Sequence, residues 1–135
     1  MGCWGRQSFE HDDVAEALDL AYELIHGQVY DDLMDDGNPL SFDEVQKKLA
    51  SPETLAEALN VLNEWFGDSF DAWDEVQRLT YVGVVVRHAS FRIPIPEATR
   101  ARAIDWLQKE DIDWDDAEDR DRIRQKELAL LQKAF

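Results

Sequence analysis

Basic residues are nearly absent from the first 75 positions of this chain, which hold 3 Lys or Arg against 19 Asp or Glu. The remaining 60 residues hold 11 of each, so the formal charge of −16 lies entirely in the first part. Carboxylates crowded without counter-charges repel one another, and a one-sided surplus indicates a surface for a cationic partner. Direct binding to nucleic acid is disfavoured, because phosphate neutralisation needs clustered Lys and Arg.

Other absences narrow the class further. The single cysteine, Cys3, cannot form an internal disulfide, which fits a reducing compartment. No apolar run of about 18 residues occurs, and the first five residues lack the features of a signal peptide. We therefore expect a cytoplasmic protein without a membrane partner. Nucleotide-binding loops, hydrolase serine motifs and zinc-protease motifs are also missing, so we expect no catalytic residue and no cofactor.

Two acidic segments have only part of the spacing of a calcium-binding loop. In the first, Asp32 and Asp36 stand at the first and fifth ligand positions, but Met34 stands at the third. In the second, which begins at Asp111, Arg122 stands where the closing acid belongs. The three histidines lack the spacing of a zinc motif. We therefore expect no metal site.

Apolar residues are plentiful and regularly spaced. The chain is 44% hydrophobic and contains 5 Trp, 6 Phe and 3 Tyr, enough to bury a core in one domain over residues 1–135. Their helical spacing predicts an all-α fold of about five to six helices, with a Trp-containing arm at the N-terminus.

The first predicted helix covers residues 12–26 and ends at Gly27. Its apolar residues, which include Leu24 and Ile25, form one face. The opposite face carries an acidic ridge without any base, formed by Asp12, Glu16, Asp19 and Glu23. Solvated helices commonly place a base four residues from an acid, so an uncompensated ridge favours a docking role.

A second helix repeats this arrangement over residues 52–66, after the N-cap Ser51 and before Gly67. Its predicted buried face includes Trp65 and Phe66. Its ridge has the same four-three-four spacing and consists of Glu53, Glu57, Asn60 and Glu64. Between the two helices, residues 31–39 predict an acidic loop, and a capping box predicts a short helix after Ser41.

Residues 76–86 are ambiguous, because β-branched residues suit a strand whereas the apolar spacing and the cap-like Asp71 suit a buried helix. We favour the helix, with a small β element within residues 79–93 as the alternative. Residues 93–96, Ile-Pro-Ile-Pro, predict an extended connection to a helix over residues 96–108. A last helix is predicted over residues 115–134, where acid–base pairs such as Asp116 with Arg120 indicate a solvated face.

The N-terminus carries a family resemblance. Residues 1–5, Met-Gly-Cys-Trp-Gly, are followed by Phe9 and by the acidic pair Asp12-Asp13 before an Ala- and Leu-rich helix. This opening, over the first 20 residues, resembles an uncharacterised bacterial family of small proteins that begin Met-Gly-Thr-Trp-Gly. The resemblance implies a bacterial origin and no particular catalytic or binding residue. Trp4 between two glycines predicts an arm pinned against the first helix.

Together these patterns favour a non-enzymatic inhibitor, such as an immunity protein or antitoxin, that docks on the basic surface of a nuclease-like toxin or DNA-binding enzyme. A specific protein interface needs aromatic side chains that pack against the partner as well as charged residues at its rim. Phe70 and Trp73 are the aromatic residues that we expect to be most exposed. The predicted partner-binding residues are Asp12, Glu16, Asp19, Glu23, Asp31, Asp32, Asp35, Asp36, Glu53, Glu57, Glu64, Asp68, Phe70, Asp71, Trp73 and Asp74.

Three alternatives stay open. An acidic soluble domain without a charged target would use its aromatics only as core. A DNA mimic of phage or plasmid origin would place carboxylates where DNA has phosphates, and would need at least two combined ridges to approach the charge density of a duplex. A small enzyme with acids in a cleft is the fourth hypothesis. The oligomeric state is not determined by these patterns.

Overall fold

The computed structural model describes residues 12–33, 41–110 and 117–133, and in these ranges every regular element is helical. The all-α prediction is therefore confirmed. The elements are α1 (Asp12–His26), α2 (Gln28–Leu33), α3 (Phe42–Leu49), α4 (Pro52–Phe66), a 3₁₀ turn (Phe70–Ala72), α5 (Glu75–Ser90), α6 (Glu97–Gln108) and α7 (Ala117–Gln132). The N-terminal arm with Trp4, and Asp35 and Asp36 of the acidic loop, lie outside the described residues.

Side-chain caps determine where three of the helices begin. Capping boxes at Ser41, Ser51 and Asp74 open α3, α4 and α5. The Ser51 hydroxyl accepts a hydrogen bond from the Thr54 backbone N–H at 3.1 Å, which satisfies a donor that the helix itself cannot pair. The cap of α5 is Asp74 and not Asp71, because the 3₁₀ turn occupies the residues around Asp71.

Two glycines end helices as predicted. Gly27 has φ +55° and Gly67 has φ +91°, values that side-chain-bearing residues rarely adopt. After Gly27 the chain does not enter a loop but forms α2, so the prediction of a loop from residue 31 is wrong for Asp31 and Asp32. Gln28 Nε2 donates to Asp32 Oδ1 at 2.8 Å, and the buried Tyr30 anchors this short helix.

Helix α5 is the centre of the fold. Its residues are buried without interruption from Leu79 to Ala89, and it packs against α1, α4, α6 and α7. Because neighbours surround the helix, residues on all its sides are buried, among them the polar Thr80, Arg87 and His88, and the sequence has no amphipathic stripe. The helix prediction for residues 76–86 is confirmed, and residues 79–93 contain no strand.

The C-terminal helix differs from expectation at Arg120. This side chain is only 2% exposed, so the predicted solvated position is wrong. Arg120 Nη1 lies 2.9 Å from Glu127 Oε1, and the guanidinium also binds both carboxylate oxygens of Glu110. Burial disfavours the charge, but the hydrogen bonds and charges of the two glutamates outweigh it and raise the pKa of Arg120. Its predicted partner Asp116 lies outside the described residues.

Candidate functional site: the acidic and apolar surface of α1 and α2

The acidic ridge of α1 is exposed where the structure describes it. Glu16, Asp19 and Glu23 are exposed, opposite the buried Val14, Ala17 and Ala21; the side chain of Asp12 lies outside the described part. Within the described ranges, Glu16 and Glu23 form no ion pair. The ridge thus presents to solvent carboxylates that no base in the described ranges compensates.

Asp19 is exposed but also has a structural role. Its Oδ1 accepts a hydrogen bond from the Tyr30 hydroxyl, which joins α1 to α2. Tyr30 is 3% exposed and its ring stacks on Tyr22 at a centroid distance of 5.6 Å. Burial, and then the hydrogen bond to Asp19, raise the pKa of Tyr30. This contact holds α2, with its exposed Asp31 and Asp32, against α1.

Large apolar side chains lie beside these acids, which the sequence did not predict. Leu24 is 64% exposed and Ile25 is 41% exposed, so their assignment to the buried face is wrong. They lie near the C-terminal end of α1, where Tyr22 and His26 contact α3 but the described neighbouring helices leave Leu24 and Ile25 exposed. Four such residues are exposed on the two helices: Leu20, Leu24, Ile25 and Val29.

We call this combination the α1–α2 surface; it consists of Glu16, Asp19, Leu20, Glu23, Leu24, Ile25, Val29, Asp31 and Asp32. Leu20 and Leu24 are one helical turn apart, and by helical spacing they lie between the acidic ridge and the buried face. Protein interfaces characteristically have an apolar centre with a polar rim. The α1–α2 surface has both components on adjacent helices.

The second ridge, on α4, has acids with fewer apolar neighbours. Glu53 and Glu64 are exposed, Glu57 is half-buried, and Trp65 at the helix end is 39% exposed although it was predicted to be buried. Helix α4 packs directly against α1, so the two ridges belong to one pair of adjacent helices.

Trp73 is a core residue, and the prediction that it is exposed is wrong. Its side chain is 2% exposed and its Nε1 donates to the Gly67 carbonyl at 3.0 Å. Its ring lies 5.0 Å from that of Phe70, and further rings surround it. This aromatic cluster consists of Phe66, Phe70, Trp73, Tyr81 and Trp106. The acids beside Trp73 in sequence do not reveal its burial, because three of the four rings around it come from α4, α5 and α6.

The remaining predicted site residues are spread along the connection from α4 to α5. Phe70 is half-buried, whereas Asp68, Asp71 and Asp74 are exposed. Asp74 accepts the Gln77 backbone N–H at 2.8 Å, so it has a capping role. Asp71 and Phe70 line a pocket beside α6. These residues therefore do not belong to the α1–α2 surface.

Within the described ranges, no helix is long and apolar enough to cross a membrane, and no group of three or more His, Cys, Asp or Glu side chains is arranged to hold a metal. Comparison of the chain with protein-family models, with curated proteins and with solved structures finds no match.

Proposed function

We propose that this protein is a non-enzymatic interaction module whose α1–α2 surface docks on the basic surface of a nucleic-acid-acting protein, in the manner of an immunity protein or antitoxin. The observation that carries the proposal is the exposure of Leu24 and Val29, at 64% and 54%, on the same two helices as carboxylates that form no ion pair with the described residues. Charge complementarity speeds association, and buried apolar side chains provide affinity.

This combination favours a protein partner over the alternatives. A DNA mimic requires little beyond the carboxylates, so exposed leucines would bring it no advantage. An acidic domain without a target would gain from covering these side chains, since burying one is worth about 1.5–3 kcal/mol. A basic protein that acts on nucleic acid has the required cationic surface.

Reversing two acids of the ridge should slow association. In Glu16→Lys with Glu23→Lys, the rate should fall several-fold at low salt and converge with the wild-type rate at high salt, because screening removes steering. Asp19 is left unchanged, since it holds Tyr30. The measurement is stopped-flow or surface-plasmon kinetics with the basic protein that copurifies stoichiometrically from native lysate.

The matched control is Glu97→Lys with Glu118→Lys, which changes the net charge equally on α6 and α7. Equal slowing by both pairs would mean that only the overall charge matters, and the α1–α2 surface would be excluded. If duplex DNA displaces the protein from several DNA-binding proteins, a DNA mimic is indicated instead. The proposal also requires that the captured partner lose its activity on nucleic acid at an equimolar ratio.

Replacing exposed apolar residues should affect binding but not folding. Leu24→Ser with Val29→Ser should weaken the complex about tenfold or more through a faster dissociation rate, as expected for central interface residues. The free energy of unfolding should change by only a few tenths of a kcal/mol to about 1 kcal/mol, since both side chains are already exposed. Val76→Ser, at a 40% exposed residue of α5, is the control and should leave the dissociation rate unchanged. An unaltered dissociation rate in the double variant would show that the partner does not contact these residues.

A further inference from the structure

A pocket that differs in charge from the acidic α1–α2 surface lies between the 3₁₀ turn, the start of α5 and one face of α6. Its volume is about 500 Å³, in the range of sites for small organic molecules. Helix α6 contributes three residues and its C-cap Lys109 a fourth, at positions i, i+3, i+4 and i+7, and α6 makes no contact with α1 in the described part. The lining residues are Ser69, Phe70, Asp71, Arg78, Arg102, Asp105, Trp106 and Lys109.

Arg102 is held by aromatic rings. Its guanidinium carbon lies 4.1 Å from the centroid of the Phe70 ring, and 5.9 and 6.0 Å from those of Trp106 and Tyr81. Ring faces attract a cation and fix the plane of the guanidinium without using its N–H groups. Among the described residues the Arg102 side chain forms no hydrogen bond and no ion pair, so its N–H groups stay available to a ligand.

A second guanidinium lies on the same indole. The guanidinium carbon of Arg78 is 5.8 Å from the Trp106 centroid, and its buried Nε has no hydrogen-bond partner in the described part of the chain. Its Nη1 is 4.0 Å from Glu75 Oε1, at the limit of an ion pair. Since this contact is long and the Arg78 side chain has no other hydrogen bond or ion pair in the described part, its terminal N–H groups are available to an anion in the pocket.

The charge of the pocket is the reverse of that of the molecule. Its lining has three bases and two acids, one net positive charge in a chain of net charge −16. Lys109 Nζ lies 2.9 Å from Asp105 Oδ1, so these two compensate each other. Arg78 and Arg102 then carry two positive charges against the one negative charge of Asp71. The pocket therefore suits a ligand with one negative charge better than a ligand with two.

We propose that this pocket binds a small organic monoanion: a carboxylate attached to an aromatic ring or a similarly flat apolar group. The carboxylate pairs with the guanidinium N–H edge of Arg102, with Arg78 beside it, and the ring packs against Trp106 and Phe70. Guanidinium and carboxylate groups match in planar, two-point hydrogen bonding. This site requires no partner protein, so its test is separate from that of the α1–α2 surface.

Titration with phenylacetate tests the proposal, with the Trp106 indole N–H as the NMR reporter, assigned from the Trp106→Phe spectrum. Phenylacetate should shift this signal saturably, whereas phenylacetamide, of the same shape without charge, should bind about tenfold more weakly or not at all. A dipeptide that ends in phenylalanine has, like phenylacetate, a carboxylate close to an aromatic ring. Its free form and its form with an amidated C-terminus are therefore compared in the same titration. Tighter binding of the free form than of phenylacetate would support the carboxylate site and assign its ligand to a peptide terminus.

Arg102→Gln should weaken phenylacetate binding about tenfold or more, and Arg102→Lys, which keeps the charge but not the planar fork, should also weaken it. Lys126→Gln on α7 makes the same charge change as Arg102→Gln at an exposed position and should have no effect. If Arg102→Gln does not fold by circular dichroism, Arg78→Gln takes its place. Equal shifts by acid and amide, equal affinities of Arg102→Gln and Lys126→Gln, or no shift up to about 10 mM phenylacetate would each overturn the proposal.

Discussion

Replacing Arg120 with methionine is expected to lower the free energy of unfolding by about 3–5 kcal/mol. The substitution leaves Glu110 and Glu127, with side chains 3% and 6% exposed, buried without their counter-charge. Domains of this size have a total stability of about 5–15 kcal/mol, so the loss is a large fraction of it. Urea unfolding followed by circular dichroism measures the change.

Arg124→Met on the same helix is the control. Arg124 pairs with Asp121 at 2.5 Å, but the Asp121 side chain is 59% exposed, and such surface pairs contribute about 1 kcal/mol or less. Adding Glu110→Gln and Glu127→Gln to Arg120→Met should recover part of the lost stability, because the buried charges are then removed. Equal losses for Arg120→Met and Arg124→Met would show that Glu110 and Glu127 do not remain as uncompensated buried charges when Arg120 is lost.

Local signals in the sequence predicted most of the helices. Gly27 and Gly67 end α1 and α4 because they adopt positive φ, and Ser41 and Ser51 cap the N-termini of α3 and α4. Each of these signals depends only on a few neighbouring residues. Helix α5 was predicted from the spacing of its valines, although β-branched residues also suit strands. Short helix α2 was missed, because it depends on Tyr30 reaching back to Asp19 across the turn at Gly27.

The candidate sites were less predictable, since exposure depends on which helices meet. Leu24 has the spacing of a buried residue, but α3, which contacts this end of α1 at Tyr22 and His26, leaves Leu24 exposed. Arg120 has acids at helical spacing, yet Glu110, which precedes α7, draws it inward. Arg102 and Arg78 are 24 residues apart in sequence and meet only because α5 and α6 are antiparallel neighbours around Trp106.

Acidification should remove a stabilising contribution of His88. The ring is fully buried between α4 and α5; its Nδ1 lies 3.0 Å from the Val84 carbonyl and its Nε2 lies 2.8 Å from Thr54 Oγ1. Because a carbonyl only accepts, the neutral ring donates from Nδ1, and its Nε2 accepts from the Thr54 hydroxyl, whose one proton is shared with the Ser51 carbonyl at 2.8 Å. Burial lowers the pKa of His88 to about 4; the hydrogen bond to Val84 opposes this effect, and the charge of Arg87 adds to it.

In the unfolded chain His88 takes up a proton near pH 6.5, whereas in the folded protein it stays neutral until about pH 4. The contribution of His88 to the free energy of unfolding is therefore complete above pH 6.5, decreases as the pH falls from 6.5 to 4 and levels off below 4. The total loss is about 3 kcal/mol. Neutralisation of the exposed carboxylates acts in the opposite direction over part of this range, because it relieves their mutual repulsion. The quantity to measure is thus the difference in unfolding free energy between wild type and His88→Gln, whose side chain does not titrate. Between pH 7 and pH 4 the wild type should lose about 3 kcal/mol of unfolding free energy more than His88→Gln does. A difference that stays constant over this range would mean that the buried ring accepts a proton as readily as it does in the unfolded chain.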